Sequence, residues 1–241
     1  MNIQNLAMKF EIEESVVAEE AEARFFEICA FDLAEAGQRK MEEAAMLVRE
    51  HVQAQMCIQA AVRFYGNPVL TGERLQLDDA VLHCDAFGQI PADTVKGAFV
   101  YLLTIGETDI EAEGNIMTEL YHDIWGTVYV EAALQELCGD GFADAAKTLY
   151  PDQKVYVSQP FGPGYYGMAM EEGRKIYPLV DGAEAGVMQK TSGLLVPEKS
   201  CLGLVLVYDR DGIKMSPGCK KCLGVSGGCR FCMKRMKKEL E

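Results

Sequence analysis

The first quarter of the chain mixes apolar and charged positions in a way that favours helices. Residues 11–55 are rich in Ala, Glu, Leu and Met and predict one helix or two. Ser15 is a possible N-cap, and Gly37 is the expected break within the segment. Residues 57–65 then change to apolar and aromatic side chains, which predicts a strand that ends at Gly66.

The middle of the chain combines short apolar runs with a second long helical region. A short strand is expected around residues 69–77, and the uninterrupted apolar run at residues 99–103 predicts a strand that is buried on both faces. Helical spacing extends from residue 110 to 149, with interruptions expected near Gly126 and at residues 139–141.

Two polar side chains in this helical region, His122 and Asp123, are neighbours in sequence. On a helix they point about 100° apart, so they do not make a pair of metal ligands. A surface or capping role is expected for both.

In the second half, short apolar segments separated by turn residues predict antiparallel strands. A strand at residues 154–157 precedes a helix at about residues 168–177. Three further segments predict an antiparallel meander that is closed by the turn residues 209–212: 186–189, 193–197 and 203–208. Helices gathered early, with an antiparallel sheet contributed partly by the second half, predict the α+β class.

The loop at residues 158–167 carries the unusual backbone chemistry of the chain. Its two prolines fix φ, and its three glycines permit conformations that other residues avoid. Such a loop could present backbone N–H and C=O groups to a flat ligand, with Tyr165 and Tyr166 as walls. The alternative is a rigid connection between strand and helix that binds nothing.

Length and composition favour a globular protein with a sizeable core. The chain has 241 residues, is 49% hydrophobic and 25% charged, and would form one large domain or two small ones. Its amino terminus lacks the pattern of a signal peptide, and its longest apolar run, residues 97–106, is too short to cross a bilayer. We therefore expect a cytoplasmic protein.

Charge divides the chain into an acidic body and a basic tail. Residues 213–241 contain eight basic and two acidic side chains, a charge of +6. Because the net charge of the chain is −14, residues 1–212 carry −20. An acidic body repels nucleic acid and anionic membranes, so neither is an expected partner. The tail could contact the acidic body, an acidic partner or only solvent.

The nine cysteines fall into two groups. Five lie in apolar surroundings and are expected to be small buried side chains: Cys29, Cys57, Cys84, Cys138 and Cys201. The other four form two C-x-x-C pairs in the tail, separated by six residues: Cys219, Cys222, Cys229 and Cys232. Four thiolates at this spacing suit Zn²⁺ or an iron–sulfur cluster, and the spacing does not choose between them; unligated thiols or a redox disulfide are the alternative.

Several short motifs, taken in order, resemble a known family. Pro163-Gly164-Tyr165 precedes the segment at residues 192–200, Ser-Gly-Leu-Leu-Val-Pro-Glu-Lys-Ser, by about thirty residues. Upstream lie Leu103-Thr104-Ile105-Gly106 and Val130-Glu131. Together these motifs resemble the activation domain of cobalamin-dependent methionine synthase, and most closely its free-standing form, over roughly residues 69–208.

The resemblance implies a fold, a ligand and a partner. It implies a curved antiparallel sheet with flanking helices over residues 1–212, of which residues 11–55 are the helical part, followed by the tail. It also implies a groove that binds S-adenosylmethionine and presents it to cobalamin held by a separate corrinoid protein. The groove residues it implies are Gly162, Pro163, Gly164, Tyr165, Tyr166, Lys190 and Ser192.

The sequence also departs from the family pattern within the loop. The family carries an arginine four residues before the glycine of the Gly-Tyr pair, where it can pair with the ligand carboxylate, and this chain has Pro160 there. The Thr-Glu-Ser triplet of the family is replaced by Lys190-Thr191-Ser192. Lys190 is then the candidate for a displaced positive charge.

Besides a true S-adenosylmethionine-binding enzyme, with Tyr165 and the loop backbone as contacts, two functional hypotheses of different classes follow. The first is an accessory or reactivation protein of a corrinoid-dependent methyltransferase system, which presents S-adenosylmethionine or electrons to a separate corrinoid protein. The second is a non-enzymatic metal- or redox-dependent interaction module whose S-adenosylmethionine groove has decayed. No nucleophile triad, Walker loop or dinucleotide fingerprint points to a hydrolase, kinase or dehydrogenase.

Overall fold

The structure, a computed structural model, describes residues 5–110 and 115–213. Within them the strands are β1 (Leu6–Glu11), β2 (Gln59–Gly66), β3 (Val69–Thr71), β4 (Arg74–Leu77), β5 (Ala80–His83), β6 (Val95–Thr104), β7 (Tyr156–Val157), β8 (Met188–Gln189), β9 (Leu195–Val196) and β10 (Ser200–Tyr208). The α-helices are α1 (Glu14–Cys29), α2 (Ala36–Gln55), α3 (Ile116–Glu136), α4 (Phe142–Leu149) and α5 (Gly173–Ile176). The tail cysteines predicted to bind metal lie outside the described residues.

Strand β6 is the centre of a five-stranded antiparallel sheet with the order β1-β2-β6-β10-β7. Leu102 on β6 pairs with Ala61 on β2 and with Leu202 on β10. Residues 99–103 are buried along their whole length, as the uninterrupted apolar run predicted. Because side chains alternate across a strand, one strand supplies two separate hydrophobic layers.

The first layer packs the sheet against the helices α1 to α4. Phe99, Tyr101 and Leu103 of β6 point into it. In the helical part, the ring of Trp125 stacks on Phe25 with centroids 3.8 Å apart, and its Nε1 donates to the carbonyl of Ala45 at 2.9 Å. These contacts join α1, α2 and α3 into one layer.

The second layer covers the opposite face of the sheet and carries the candidate site. Val100 and Leu102 of β6 point into it, together with Leu204 of β10. It is closed by the three-stranded sheet β3-β4-β5, by the loop at residues 158–167 and by the short helix α5. The α+β class predicted from the sequence is confirmed.

The break in the first helical segment lies elsewhere than predicted. The chain leaves α1 at Ala30, which has φ of 46° in the left-handed region, whereas Gly37 lies in the first turn of α2. Ser15 lies inside α1, whose N-cap is Glu13. The sequence did not predict β1, which pairs along the outer edge of β2.

Helix α3 runs through Gly126 without the predicted interruption. A Cβ at this position would come within 2.9 Å of Cε of Lys199, so the glycine accommodates a side chain that crosses the helix. The second predicted interruption is correct, because residues Leu137–Gly141 form a π-helical turn before α4.

The strands of the second half do not form the predicted meander. Strands β8 and β9 pair only with each other, while β10 lies between β6 and β7. A long apolar strand gains more from the buried centre of the sheet than from a short neighbour, which explains the difference. The helix predicted at residues 168–177 is shorter, with α5 flanked by 3₁₀ turns at Met170–Glu172 and Tyr177–Leu179.

Two further expectations concern the burial of the five cysteines outside the tail and the ability of a segment to cross a membrane. Cys84 and Cys138 are buried as expected, whereas Cys29 and Cys201 are only half-buried and Cys57 is exposed. None of the helices in residues 5–110 and 115–213 combines the length and apolarity needed to cross a membrane.

Candidate functional site: a groove beside strand β10

The loop at residues 158–167 is anchored on the outer edge of β10. Phe161 exchanges two backbone hydrogen bonds of 2.8 Å with Leu204, which makes it an isolated antiparallel bridge. The Ser158 N–H donates to the carbonyl of Leu206, and its hydroxyl accepts from the Leu206 N–H, both at 2.9 Å. The loop therefore continues the sheet edge beyond the two residues of β7.

The remainder of the loop folds into two consecutive turns. The Tyr165 N–H donates to the Gly162 carbonyl at 3.0 Å, and the Met168 N–H donates to the Tyr165 carbonyl at 2.9 Å. Gly164 and Gly167 have φ of 87° and 80°, which explains the glycines, and Tyr166 also has a positive φ of 55°. Several backbone groups expected to face a ligand are thus bonded within the loop, and its outward feature is the Tyr165 side chain, 67% exposed.

Two glycines allow the loop to lie directly against β10 and α5. A Cβ on Gly203 of β10 would collide with the carbonyl of Phe161 and come within 2.6 Å of the Tyr101 hydroxyl. A Cβ on Gly173 would lie 3.3 Å from Cγ of Pro163. The loop consequently packs against both β10 and the start of α5.

The second predicted segment also contacts α5. Strands β8 and β9 are joined by a turn in which the Gly193 N–H donates to the Lys190 carbonyl at 2.8 Å. The Ser192 carbonyl accepts a hydrogen bond of 3.2 Å from Nη2 of Arg174. Nε2 of Gln189 donates to the Gly173 carbonyl at 3.4 Å. The two segments named from the sequence are therefore brought together across Gly173 and Arg174.

Arg174 is the site residue that the sequence motifs did not include. It is exposed, and it is held at the turn that carries Lys190 and Ser192. Pro160, which occupies the family's arginine position, is half-buried beside the bridge residue Phe161. A basic residue within the helix predicted at residues 168–177 was the available signal, but only the fold shows that it reaches the β8–β9 turn.

The far side of the loop contacts the segment that follows β5. The Tyr166 carbonyl accepts from the Ala86 N–H at 3.2 Å and from Sγ of Cys84 at 3.2 Å. Burial raises the pKa of the Cys84 thiol to about 11, so it is a structural donor rather than a reactive thiolate. This contact fixes the loop against the small sheet.

Exposed apolar side chains surround the groove. Tyr165 and Met170 lie on the loop side, and Met188 and Leu194 lie on the hairpin side; all four are about two-thirds exposed. Apolar side chains grouped around polar groups are typical of ligand and protein contact surfaces.

His122 and Asp123 do not form a site of their own. Oδ1 of Asp123 pairs with Nζ of Lys199 at 2.6 Å, and Nζ also donates to the Thr127 hydroxyl at 2.9 Å. Burial, with a smaller contribution from Lys199, lowers the pKa of His122. Asp123 thus holds the segment before β10 against α3, which agrees with the expected surface role.

Two cavities of the described part lie away from the loop and from the β8–β9 turn. One of about 250 Å³ lies between β1 and the end of α3, and one of about 400 Å³ lies beside His51 and Gln55 at the end of α2. Neither is lined by the loop or by the β8–β9 turn.

Solved structures match this fold at low sequence identity. Among them is the crystal structure of the MetH reactivation domain bound to AdoHcy, at a TM-score of 0.56 and 11% identity, covering 88% of this chain and 81% of that one. No protein-family model matches the chain, and no curated protein sequence does. The fold predicted by the resemblance, a curled antiparallel sheet with flanking helices, is confirmed.

Proposed function

We propose that the groove beside β10 binds S-adenosylmethionine or its product S-adenosylhomocysteine, and that the protein presents this ligand to a separate corrinoid protein. The observation that supports it is the fold match to a MetH reactivation domain with AdoHcy bound. The two predicted loops, which both contact Gly173 of α5, are the proposed binding elements. The role is that of an accessory or reactivation protein in a corrinoid-dependent methyltransferase system.

Arg174 is the proposed partner of the ligand carboxylate. A guanidinium can bind a carboxylate through two parallel hydrogen bonds, and this chain has no arginine within the loop itself. Arg174 lies between the loop and Ser192, and Lys190 adds a second positive charge on the same turn. Tyr165, exposed at the edge of the loop, is the proposed surface for the flat adenine ring.

Calorimetric titration of the full chain with S-adenosylhomocysteine tests this assignment. Arg174→Gln is expected to weaken binding by about tenfold or more, because the carboxylate loses a charged hydrogen bond. Arg210→Gln is the matched control, since Arg210 is exposed and pairs with Asp93 at the opposite end of β10. Equal affinity of the two variants would show that Arg174 does not bind the ligand. Absence of binding at millimolar ligand would contradict the ligand assignment itself.

The apolar side chains around the groove are the proposed contact with the corrinoid protein. Pull-down with a cobalamin-loaded corrinoid methyltransferase is expected to recover the protein. Met188→Ser and Leu194→Ser should reduce recovery, while Leu47→Ser, an equally exposed change on α2, should not. No complex in an assay that recovers known corrinoid binders would contradict docking without affecting the ligand proposal.

The tail cysteines Cys219, Cys222, Cys229 and Cys232 are a proposed iron–sulfur or zinc site, which would supply electrons or hold the tail in shape. Metal analysis and the visible spectrum of anaerobically purified protein distinguish the two metals, because a cluster is coloured and Zn²⁺ is not.

The second candidate is an interaction module that uses the tail and binds no nucleoside. The bonds that close the loop on itself, together with Pro160 in place of an arginine, favour it. A metal-loaded tail in a protein that does not bind S-adenosylhomocysteine would support this candidate over the first.

A further inference from the structure

Three side chains of the types that ligate metals lie together next to the segment that contacts the loop, outside every motif identified from the sequence. They are Glu73, His83 and Asp85, and one donor atom of each lies within 4.8 Å of the other two. Oε2 of Glu73 and Nε2 of His83 are 3.3 Å apart. Two donors bound to one divalent ion at about 2.1 Å lie about 3 to 4 Å apart, so small side-chain rotations would complete the set.

The backbone explains why these three residues converge. Cys84 is extended, with φ of −152° and ψ of 128°, so its neighbours His83 and Asp85 lie on one face while its own thiol is buried on the other. The Cys84 N–H donates to the Glu73 carbonyl at 3.0 Å, which places Glu73 directly across from this pair. The arrangement follows from the β4–β5 pairing rather than from free side-chain rotation.

Neighbouring groups hold this arrangement in place. The carboxylate of Glu172, which is only 7% exposed, accepts a hydrogen bond of 3.1 Å from the His83 N–H and forms an ion pair of 2.6 Å with Lys175. On the other side, a Cβ on Gly167 would lie 2.5 Å from Cβ of Asp85. Asp85 is therefore packed against the same loop that borders the groove.

We propose that Glu73, His83 and Asp85 bind one divalent transition-metal ion. Two carboxylates and a neutral imidazole are a donor set of oxygen and nitrogen, which suits Mn²⁺, Fe²⁺ or Zn²⁺. The side chains of Glu73 and His83 are half exposed, so water fills the remaining positions on the metal. The ion neutralises the two carboxylates and tightens the segment that bonds to Tyr166.

Mn²⁺ is the probe that separates this site from the tail, because it prefers oxygen and nitrogen ligands to thiolates. Electron paramagnetic resonance of the full chain, treated with chelator and titrated with Mn²⁺, is expected to show one bound ion per chain. Glu73→Gln and His83→Ala should each weaken binding by about tenfold or more. The matched controls are Glu184→Gln and His51→Ala, which change exposed residues outside the cluster.

The paramagnetism of Mn²⁺ also locates the ion. Amide resonances of Cys84, Ala86 and Gly167 are expected to broaden first, in the wild type and in both control variants. Broadening confined to other residues, equal affinity of His83→Ala and His51→Ala, or no bound Mn²⁺ would each overturn the proposal. Thermal unfolding in the presence of chelator checks that the variants are folded.

Discussion

At the scale of single residues, the site depends on places where a side chain is absent. Gly203 lets the Phe161 backbone approach β10, Gly167 makes room for Asp85, and Gly126 makes room for Lys199. From the sequence, Gly126 predicted a break in a helix and Gly167 belonged to a loop, while Gly203 was placed at the start of a strand segment; Gly126 lies inside α3 without a break, and Gly203 lies inside β10. A glycine that accommodates a distant neighbour cannot be distinguished from one that bends the chain until that neighbour is known.

Gly203→Ala is expected to destabilise the protein by about 2 to 3 kcal/mol, because the added methyl group meets the Phe161 carbonyl and the Tyr101 hydroxyl at a buried strand position. Urea unfolding measures the free energy of unfolding. Gly37→Ala is the matched control: nothing lies within 4 Å of its Cβ, and alanine in α2 should stabilise by about 0.5 kcal/mol. Equal effects of the two variants would show that the close approach is unimportant.

At the scale of elements, a polar network on Tyr129 ties the helices together. The buried Tyr129 hydroxyl accepts from Nε of Arg49 at 3.1 Å and from Nε2 of Gln53 at 2.9 Å, and donates to Oε1 of Glu14 at 2.9 Å. It therefore connects α3 to both α1 and α2. Hydrophobic spacing predicted that these helices exist, but this interhelical bonding could not be inferred from spacing.

Tyr129→Phe is expected to cost about 1 to 3 kcal/mol, because the half-buried partners of the hydroxyl lose a hydrogen bond. Burial is the main cause that raises the pKa of Tyr129 from 10.0 to about 12. The folded state keeps the phenol proton at a pH where the unfolded chain has lost it, so the stabilisation is complete below pH 10 and falls as the pH rises toward about 12.

The measurement is urea unfolding of the wild type and of Tyr129→Phe on both sides of this interval. The difference in unfolding free energy between them is expected to shrink between pH 10 and about 12. A difference that stays constant or grows over this interval would contradict the role of the neutral phenol.

Some strands of the sheet could be predicted from the sequence and others could not, for a physical reason. Strand β6 was predicted because an uninterrupted apolar run specifies burial on both faces by itself. Strand β1 has an exposed edge and mixed composition, so its pairing with β2 is a tertiary effect. The pairing of β10 with β6 joins residues about a hundred positions apart. Local turn signals instead wrongly predicted that this strand pairs with the segments that precede it in the sequence.

At the scale of the whole molecule, the fold brings the candidate site together from distant parts of the chain. The loop at residues 158–167 was named from its prolines and glycines, and the turn at residues 190–193 was named through a resemblance. Their common neighbour Arg174 and the cluster around His83 were not, because they depend on the placement of α5 and of the small sheet. Motifs therefore indicated the segments, and the fold supplied their chemical partners.

The most direct test of ligand binding in the groove is a titration of isotope-labelled full-length protein with S-adenosylhomocysteine. The backbone amide resonances are recorded at each ligand concentration. We expect saturable shifts concentrated at residues 162–167, at Gly173 and Arg174, and at residues 189–193, and expect them to weaken in Arg174→Gln. No shifts at millimolar ligand, or shifts confined to the helical layer formed by α1 to α4, would contradict the proposal that this groove binds the nucleoside.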